Sequence, residues 1–147
     1  MKNSTILLVE DNPDHQELTL MTLAENNVLN EIAVANDGIE ALDYLYGTGK
    51  HAGRDPRDAP ALILLDLKLP KIGGIEVLKR VREDERTRYV PVVILTSSSE
   101  EEDIVASLQG GANSYVRKPV DFGQFVEQVH RLQVYWMLVH EPPGGRK

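Results

Sequence analysis

Three short runs, Ile6-Leu7-Leu8-Val9, Leu62-Ile63-Leu64-Leu65 and Val92-Val93-Ile94-Leu95, are apolar at every position. A strand with one wet face alternates polar and apolar residues, so unbroken runs of this kind belong to strands covered on both faces. Two further β-type runs, Glu31 to Ala35 and Ser114 to Val116, complete a set of five, and helix-length segments separate them. Strands alternating with helices imply crossover connections, so the chain reads as α/β with a parallel sheet between helix layers.

The intervening segments carry helix signals. Asn12 can cap a first helix, Pro13 fits the first helical position, and Leu18, Met21 and Ala24 follow at helical spacing. A second helix is expected over about Gly38 to Tyr46, with Ile39, Leu42 and Leu45 on one side, and a third over about Gly74 to Asp84, burying Ile75, Leu78 and Val81. The fourth runs from about Glu100 to Gln109 and stops at Gly110-Gly111, and the fifth spans about Phe122 to Val139. The glycine-rich stretch Gly47 to Pro56 reads as a surface loop within one domain, because nothing before it could fold alone. The expected domain covers 1–140, ending in an extended helix, and the Pro- and Gly-rich tail 141–147 is expected to be disordered.

Composition narrows the function classes. At 147 residues the chain has room for one domain, and 41% hydrophobic with 27% charged residues is the profile of a folded one. A net charge of -7 is the wrong sign for binding nucleic acid or anionic lipid, so neither is expected as a partner. The absence of cysteine excludes disulfides, thiolate nucleophiles and thiolate metal sites. The apolar run before Glu10 is too short for a signal-peptide core, and Val134 to Val139 falls far short of the roughly 20 residues that span a bilayer. A cytoplasmic protein is expected.

In open α/β sheets the functional crevice lies beyond the carboxyl ends of the strands. The residues there are Glu10 and Asp11 after the first strand, Asp66 after the third, Thr96 with Ser97, Ser98 and Ser99 after the fourth, and Arg117-Lys118-Pro119 after the fifth. Each has an ordinary structural reading: Asp11 a helix cap, Asp66 a turn residue, Thr96 a cap for the fourth helix, Lys118 a solvated charge. Three carboxylates in one crevice nevertheless repel one another and raise one another's pKa, which a divalent cation would relieve. Magnesium suits an all-oxygen set, whereas a transition metal would want His or Cys, and the four histidines, His15, His51, His130 and His140, lie scattered on helix surfaces, a loop and the tail.

Val9-Glu10-Asp11-Asn12, Leu64-Leu65-Asp66-Leu67-Lys68-Leu69-Pro70 with Gly73-Gly74, Leu95-Thr96-Ser97 and Tyr115-Val116-Arg117-Lys118-Pro119 resemble the receiver domain of two-component response regulators. The resemblance covers residue 5 to about residue 133. It implies a flavodoxin-like, doubly wound five-stranded parallel sheet, (βα)5 with strand order 2-1-3-4-5. It implies further that Asp66 accepts a phosphoryl group from a phosphohistidine on a histidine kinase or phosphotransfer protein. Asp11 and Asp66 would bind Mg2+ directly, the backbone carbonyl of Lys68 would add a ligand, and Glu10, longer than the commoner Asp, would act through water. Lys118 and the Thr96 hydroxyl would stabilise the phosphoryl oxygens. Lys68 and Ser98 occupy the variable positions at which the family tunes dephosphorylation. On the residues alone Tyr115 packs in the core; the resemblance implies instead a switch residue that moves inward with Thr96. It also implies a cis Lys118-Pro119 peptide.

The most specific likeness is to the single-domain regulators paired with bacterial phytochromes, carried by the Leu-Asp-Leu-Lys-Leu-Pro segment, the extended loop before the third strand and Tyr135-Trp136. The domain is then a phosphoacceptor acting through protein contacts, catalysing only its own phosphorylation and dephosphorylation. A magnesium-dependent phosphohydrolase of similar fold needs a second acid two residues after the nucleophile, where Lys68 stands. A flavodoxin-type cofactor carrier needs a hydroxyl- and glycine-rich phosphate loop where Glu10-Asp11-Asn12-Pro13 is anionic. A non-phosphorylated docking scaffold is weakened by the intact acceptor, hydroxyl and lysine. Finally, Phe122, Phe125, Val126, Val129 and Leu132 already supply a core stripe for the fifth helix, so Tyr135, Trp136 and Leu138 are expected to form an exposed patch that a homodimer would bury.

Overall fold

The structure, a computed structural model, describes residues 5–107 and 114–131. Five strands, β1 (Ile6–Val9), β2 (Ile32–Ala35), β3 (Leu62–Asp66), β4 (Val92–Thr96) and β5 (Ser114–Arg117), form one parallel sheet in the order β2-β1-β3-β4-β5. The helices between and after them are α1 (Pro13–Glu25), α2 (Gly38–Tyr46), α3 (Gly74–Glu83), α4 (Ser99–Ser107) and α5 (Phe122–Arg131). The chain steps from β1 to one edge, then returns to build β3, β4 and β5 on the other side. The order therefore reverses between β1 and β3, and a crevice opens there above their carboxyl ends. Register fixes what faces it: Val9 pairs with Leu65 and Asp66 with Leu95, so the residues following β1 and ending β3 stand side by side.

The unbroken apolar runs serve two cores. Leu7, Val9, Ile63, Leu65, Val92 and Ile94 point to the layer holding Leu42 and Leu45 of α2 and Val77, Leu78 and Val81 of α3. Ile6, Leu8, Leu62, Leu64, Val93 and Leu95 point the other way, against Leu23 of α1 and Phe125 and Val129 of α5. Alternate side chains leave opposite faces of a strand, so a doubly covered strand must be apolar at every position. Each such side chain contributes about 1.5–3 kcal/mol on burial, which holds the rim of the crevice fixed.

Three helix faces differ from expectation. In α1 the buried residues are Thr19 and Leu23, with Leu20 against the core, while Leu18 and Met21 are 49% and 47% exposed and Ala24 is exposed as well. The apolar residues of α1 spread round its circumference, and the packing of Leu23 against the sheet shows which face is turned inward. In α2 Ile39 is exposed and Ala41 takes its place beside Leu42 and Leu45; in α3 Ile75 is only partly buried and Val77 is the buried residue. The loop before β3 is pinned to α2: Arg54 lies 3.8 Å from the Tyr44 ring centroid and donates to the Tyr44 carbonyl at 2.7 Å, and His51 Nε2 is 3.2 Å from Glu40. The expected end of α4, the extension of α5 from Leu132, the patch of Tyr135, Trp136 and Leu138 and the tail 141–147 lie outside the described residues.

Candidate phosphoryl-transfer site

Glu10 is the first residue past β1. Its amide donates to the Ala35 carbonyl at 3.0 Å, extending the ladder by one bond, and its side chain is fully buried. One carboxylate oxygen accepts from the Asn12 amide at 3.1 Å, and the other lies 2.9 Å from Lys118 Nζ. Asn12 then starts α1, its Oδ1 accepting from the amides of Asp14 (2.8 Å) and His15 (3.1 Å). Asp11, between them, is exposed at the mouth of the crevice. The expected cap reading of Asp11 is thus taken by Asn12.

Asp66 ends β3 and is 3% exposed. Its Oδ1 accepts from the Lys68 amide at 3.4 Å, and its Oδ2 lies 3.4 Å from Lys118 Nζ. Gly74 lets α3 start directly beneath this turn: its amide donates to the Leu67 carbonyl at 3.0 Å, and a Cβ there would stand 2.3 Å from the Asp66 carbonyl oxygen and 2.7 Å from Leu67 Cα. Glycine is required by that close approach. Burial, together with the Glu10 charge, pushes the Asp66 carboxyl up to about 6 against the opposing pull of Lys118.

Oxygens of Glu10, Asp11 and Asp66 lie within 4.8 Å of one another. Lys118, with its side chain 9% exposed, is the cation placed among them. Its backbone amide donates to the Thr96 carbonyl at 2.7 Å, and the Lys118-Pro119 peptide is cis, as the resemblance implies. Three carboxylates against one ammonium leave negative charge in excess, and the Glu10 part of it adds to burial in raising the Asp66 pKa. A hard divalent ion bound by oxygen fits such a donor set. Thr96 is fully buried at the end of β4, and its Oγ1 has no hydrogen-bond partner among the described residues.

Other expected site residues are placed differently. Ser98, not Thr96, caps α4: its Oγ accepts from the Glu101 amide at 3.2 Å, while Glu101 Oε1 accepts from the Ser97 amide at 2.7 Å. The Lys68 side chain is 78% exposed and pairs with Glu101 Oε2 at 3.3 Å. Tyr115 is exposed, so the core reading of that residue does not hold; in the same strand Val116 is the buried side chain. His15, expected merely on a helix surface, puts Nδ1 3.0 Å from Lys118 Nζ. The signal for Glu101 was in the sequence, as a Ser-x-x-Glu capping pattern. His15 could have been found by counting three residues into α1 from its Asn12 cap.

An oxygen-lined acidic crevice at the switch point of a doubly wound sheet, with a buried hydroxyl and a lysine at its wall, defines a domain for handling phosphoryl groups with a divalent metal. The comparisons make the class specific. The family model of the response regulator receiver domain matches residues 6–130, and the chain belongs to that family. Its members are signalling domains that interact with histidine kinases or phosphotransfer proteins. The chain is 38% identical over 139 residues to FilR2, a probable methanogenesis regulatory protein of Methanothrix harundinacea (strain 6Ac), covering 95% of this chain and 87% of the relative. Among solved structures, the bacteriophytochrome response regulator AtBRR is 52% identical with a TM-score of 0.86, covering 93% of this chain and 97% of that one. The Mn(2+)-bound form of response regulator Rcp1 is 33% identical with a TM-score of 0.69, covering 90% and 94%. The chain is thus a phosphoacceptor response regulator of single-domain type, with bacteriophytochrome response regulators among its structural neighbours. No described helix is long and apolar enough to cross a membrane.

Proposed function

We propose that Asp66 is the phosphoacceptor and that it takes the phosphoryl group from a phosphohistidine of a sensor kinase or phosphotransfer protein. The observation that supports this most is the Thr96 hydroxyl, buried and without a hydrogen-bond partner among the described residues, on the strand adjoining Asp66. Leaving a buried hydroxyl unpaired costs about 1–3 kcal/mol, and an oxygen of a phosphoryl group on Asp66 would satisfy it. In the transfer a carboxylate oxygen of Asp66 bonds to phosphorus as the phosphorus–nitrogen bond breaks, and the imidazole of the donor leaves with the electron pair. Lys118 and Thr96 donate to the equatorial oxygens, where charge is spread in a loose transition state. Asp11 and Asp66 directly, the Lys68 carbonyl as a further ligand and Glu10 through water would hold Mg2+. When bound, the ion supplies charge neutralisation at the same oxygens.

The catalysis is confined to the domain's own phosphorylation and dephosphorylation, with Lys68 and Ser98 tuning the second. Output runs through Thr96 and Tyr115: drawing the Thr96 hydroxyl toward the phosphoryl group lets the exposed Tyr115 ring turn inward and changes the face of β5. The domain acts in the cytoplasm as a stand-alone regulator, through contacts with a downstream protein, as a homodimer joined through Tyr135, Trp136 and Leu138. Light scattering at micromolar concentration checks the last point: wild type dimeric, and Tyr135→Ser with Trp136→Ser monomeric. The acceptor is tested with acetyl phosphate and magnesium by intact mass. One phosphoryl group is expected on wild type and none on Asp66→Asn; equal labelling of both refutes the assignment.

A further inference from the structure

An ammonium carries three protons and no acceptor, and three acceptors surround that of Lys118: Glu10 Oε1 at 2.9 Å, His15 Nδ1 at 3.0 Å and Asp66 Oδ2 at 3.4 Å. Facing a group that can only donate, His15 Nδ1 must present its lone pair, which makes the ring the neutral tautomer with its proton on Nε2. A proton on Nδ1 would bring two donors together at 3.0 Å, so the 3.9 Å approach of this nitrogen to Glu10 Oε2 is not an ion pair. The ring is held from below by the Asn12 cap, which takes the His15 amide at 3.1 Å. It forms one wall of a hollow of about 240 Å³ with Leu18, Thr19, Ser97, Lys118 and Pro119.

We propose that His15 is a positioning residue for Lys118. Its Nδ1 lone pair fixes one N–H of the ammonium, Glu10 fixes a second, and the third is thereby aimed at Asp66 and the phosphoryl group it carries. The proposal rests on the reading of Asp66 as acceptor. A lysine head on a flexible four-carbon stem has no preferred direction of its own, so a single acceptor would leave it free to rotate about that one bond. Two acceptors define the direction of the remaining proton before the donor arrives, which is where preorganisation lowers a barrier.

Nitrogen-15 NMR of the unphosphorylated chain, together with labelling rates from acetyl phosphate and magnesium, tests this. Expected for wild type are the Nε2–H tautomer at His15 and a Lys118 ammonium signal slow to exchange with water. In His15→Leu that signal is lost and labelling slows about tenfold, equivalent to about 1.4 kcal/mol of barrier. His15→Gln, whose side-chain oxygen is again an acceptor, restores both, and the magnesium midpoint is the same in all three. Wild-type labelling rates in His15→Leu, a His15→Gln as slow as the leucine variant, a shifted magnesium midpoint or an Nδ1–H tautomer would each overturn the role. A wild type that takes no phosphoryl group would instead sink the reading of Asp66, while the tautomer and the Lys118 signal would still decide the question of His15.

Discussion

Removing the charge of Asp66 should stabilise the metal-free protein. Folding buries this carboxyl beside Glu10 and moves its pKa up to about 6, against about 3.9 in an unfolded chain. Between those values the folded state binds more protons than the unfolded one, so stability falls as pH rises through the window. The penalty is absent below about pH 4, grows from there to about pH 6, and is fully present at neutral pH. Two decades of proton affinity at 1.36 kcal/mol each give about 3 kcal/mol as the upper bound. Asp66→Asn keeps the shape and removes the charge, but it weakens one contact of Lys118, the one at 3.4 Å. The net gain expected is about 1–2 kcal/mol, or a Tm raised by about 3–8 °C in a domain of this size. The assay is urea and thermal unfolding by far-UV circular dichroism in EDTA at pH 7 and pH 4.5, with magnesium added in a parallel series. The gap between variant and wild type should shrink at pH 4.5. It should shrink again at pH 7 with magnesium, because the ion compensates the wild-type carboxylate and has one ligand fewer in the variant. A variant less stable than wild type at pH 7, or a gap independent of pH, would refute the reasoning.

Three further outcomes are expected. Thr96→Val replaces a hydroxyl without a hydrogen-bond partner among the described residues by a methyl group of the same shape, so stability should hold or rise by about 1 kcal/mol while labelling by acetyl phosphate slows; a loss of stability beyond 1 kcal/mol would show that the hydroxyl is already bonded. Gly74→Ala would drive a Cβ to 2.3 Å from the Asp66 carbonyl, forcing the β3 end to shift at a cost of about 1–3 kcal/mol and reducing Asp66 labelling; an unchanged Tm would contradict the close approach. Lys68→Asn removes the cation next to the site that now pairs with Glu101 and should shorten the phosphorylated half-life several-fold by opening the approach of water; a half-life equal to or longer than wild type removes Lys68 from the tuning of dephosphorylation.

How much of this was legible in the sequence depends on which periodicity carried each residue. β1, β3 and β4 were readable because double coverage makes every position apolar, and no phase needs to be known. The acids were readable for the same reason: Glu10 and Asp66 are the first charges after such runs, and a parallel sheet sends its strand ends to one edge. Helix faces do require a phase. α1 offers Leu18, Leu20, Met21 and Leu23 to any rotation, and the sequence does not choose among them; the packing of Leu23 against the sheet does. The rotation that leaves Leu18 exposed also places His15 beside Lys118, so both placements depend on a phase that the sequence does not supply. The case of α4 is parallel. Glu100, Glu101 and Glu102 are indistinguishable by composition, yet the Ser98 cap buries Glu101 to 5% exposure and leaves Glu102 to pair with Arg117 at 2.7 Å.

Burial links the apolar strands to the acids at their ends. The residues before Glu10 and Asp66 are fully buried, with Leu8, Val9, Leu64 and Leu65 all at 0% exposure. Extending those strands by one acidic residue carries a carboxylate to the edge of a low-dielectric core, where its charge is costly unless paired. Lys118 supplies one positive charge to three carboxylates, and α1, starting at Pro13, turns its positive N-terminal end toward Asp11. The remaining excess is what a divalent ion and an incoming phosphoryl group would act on together, since the ion needs the acids and the phosphoryl oxygens need the ion, Lys118 and Thr96. A receiver whose strand ends were less buried would hold a more stable fold and a weaker reason to bind either.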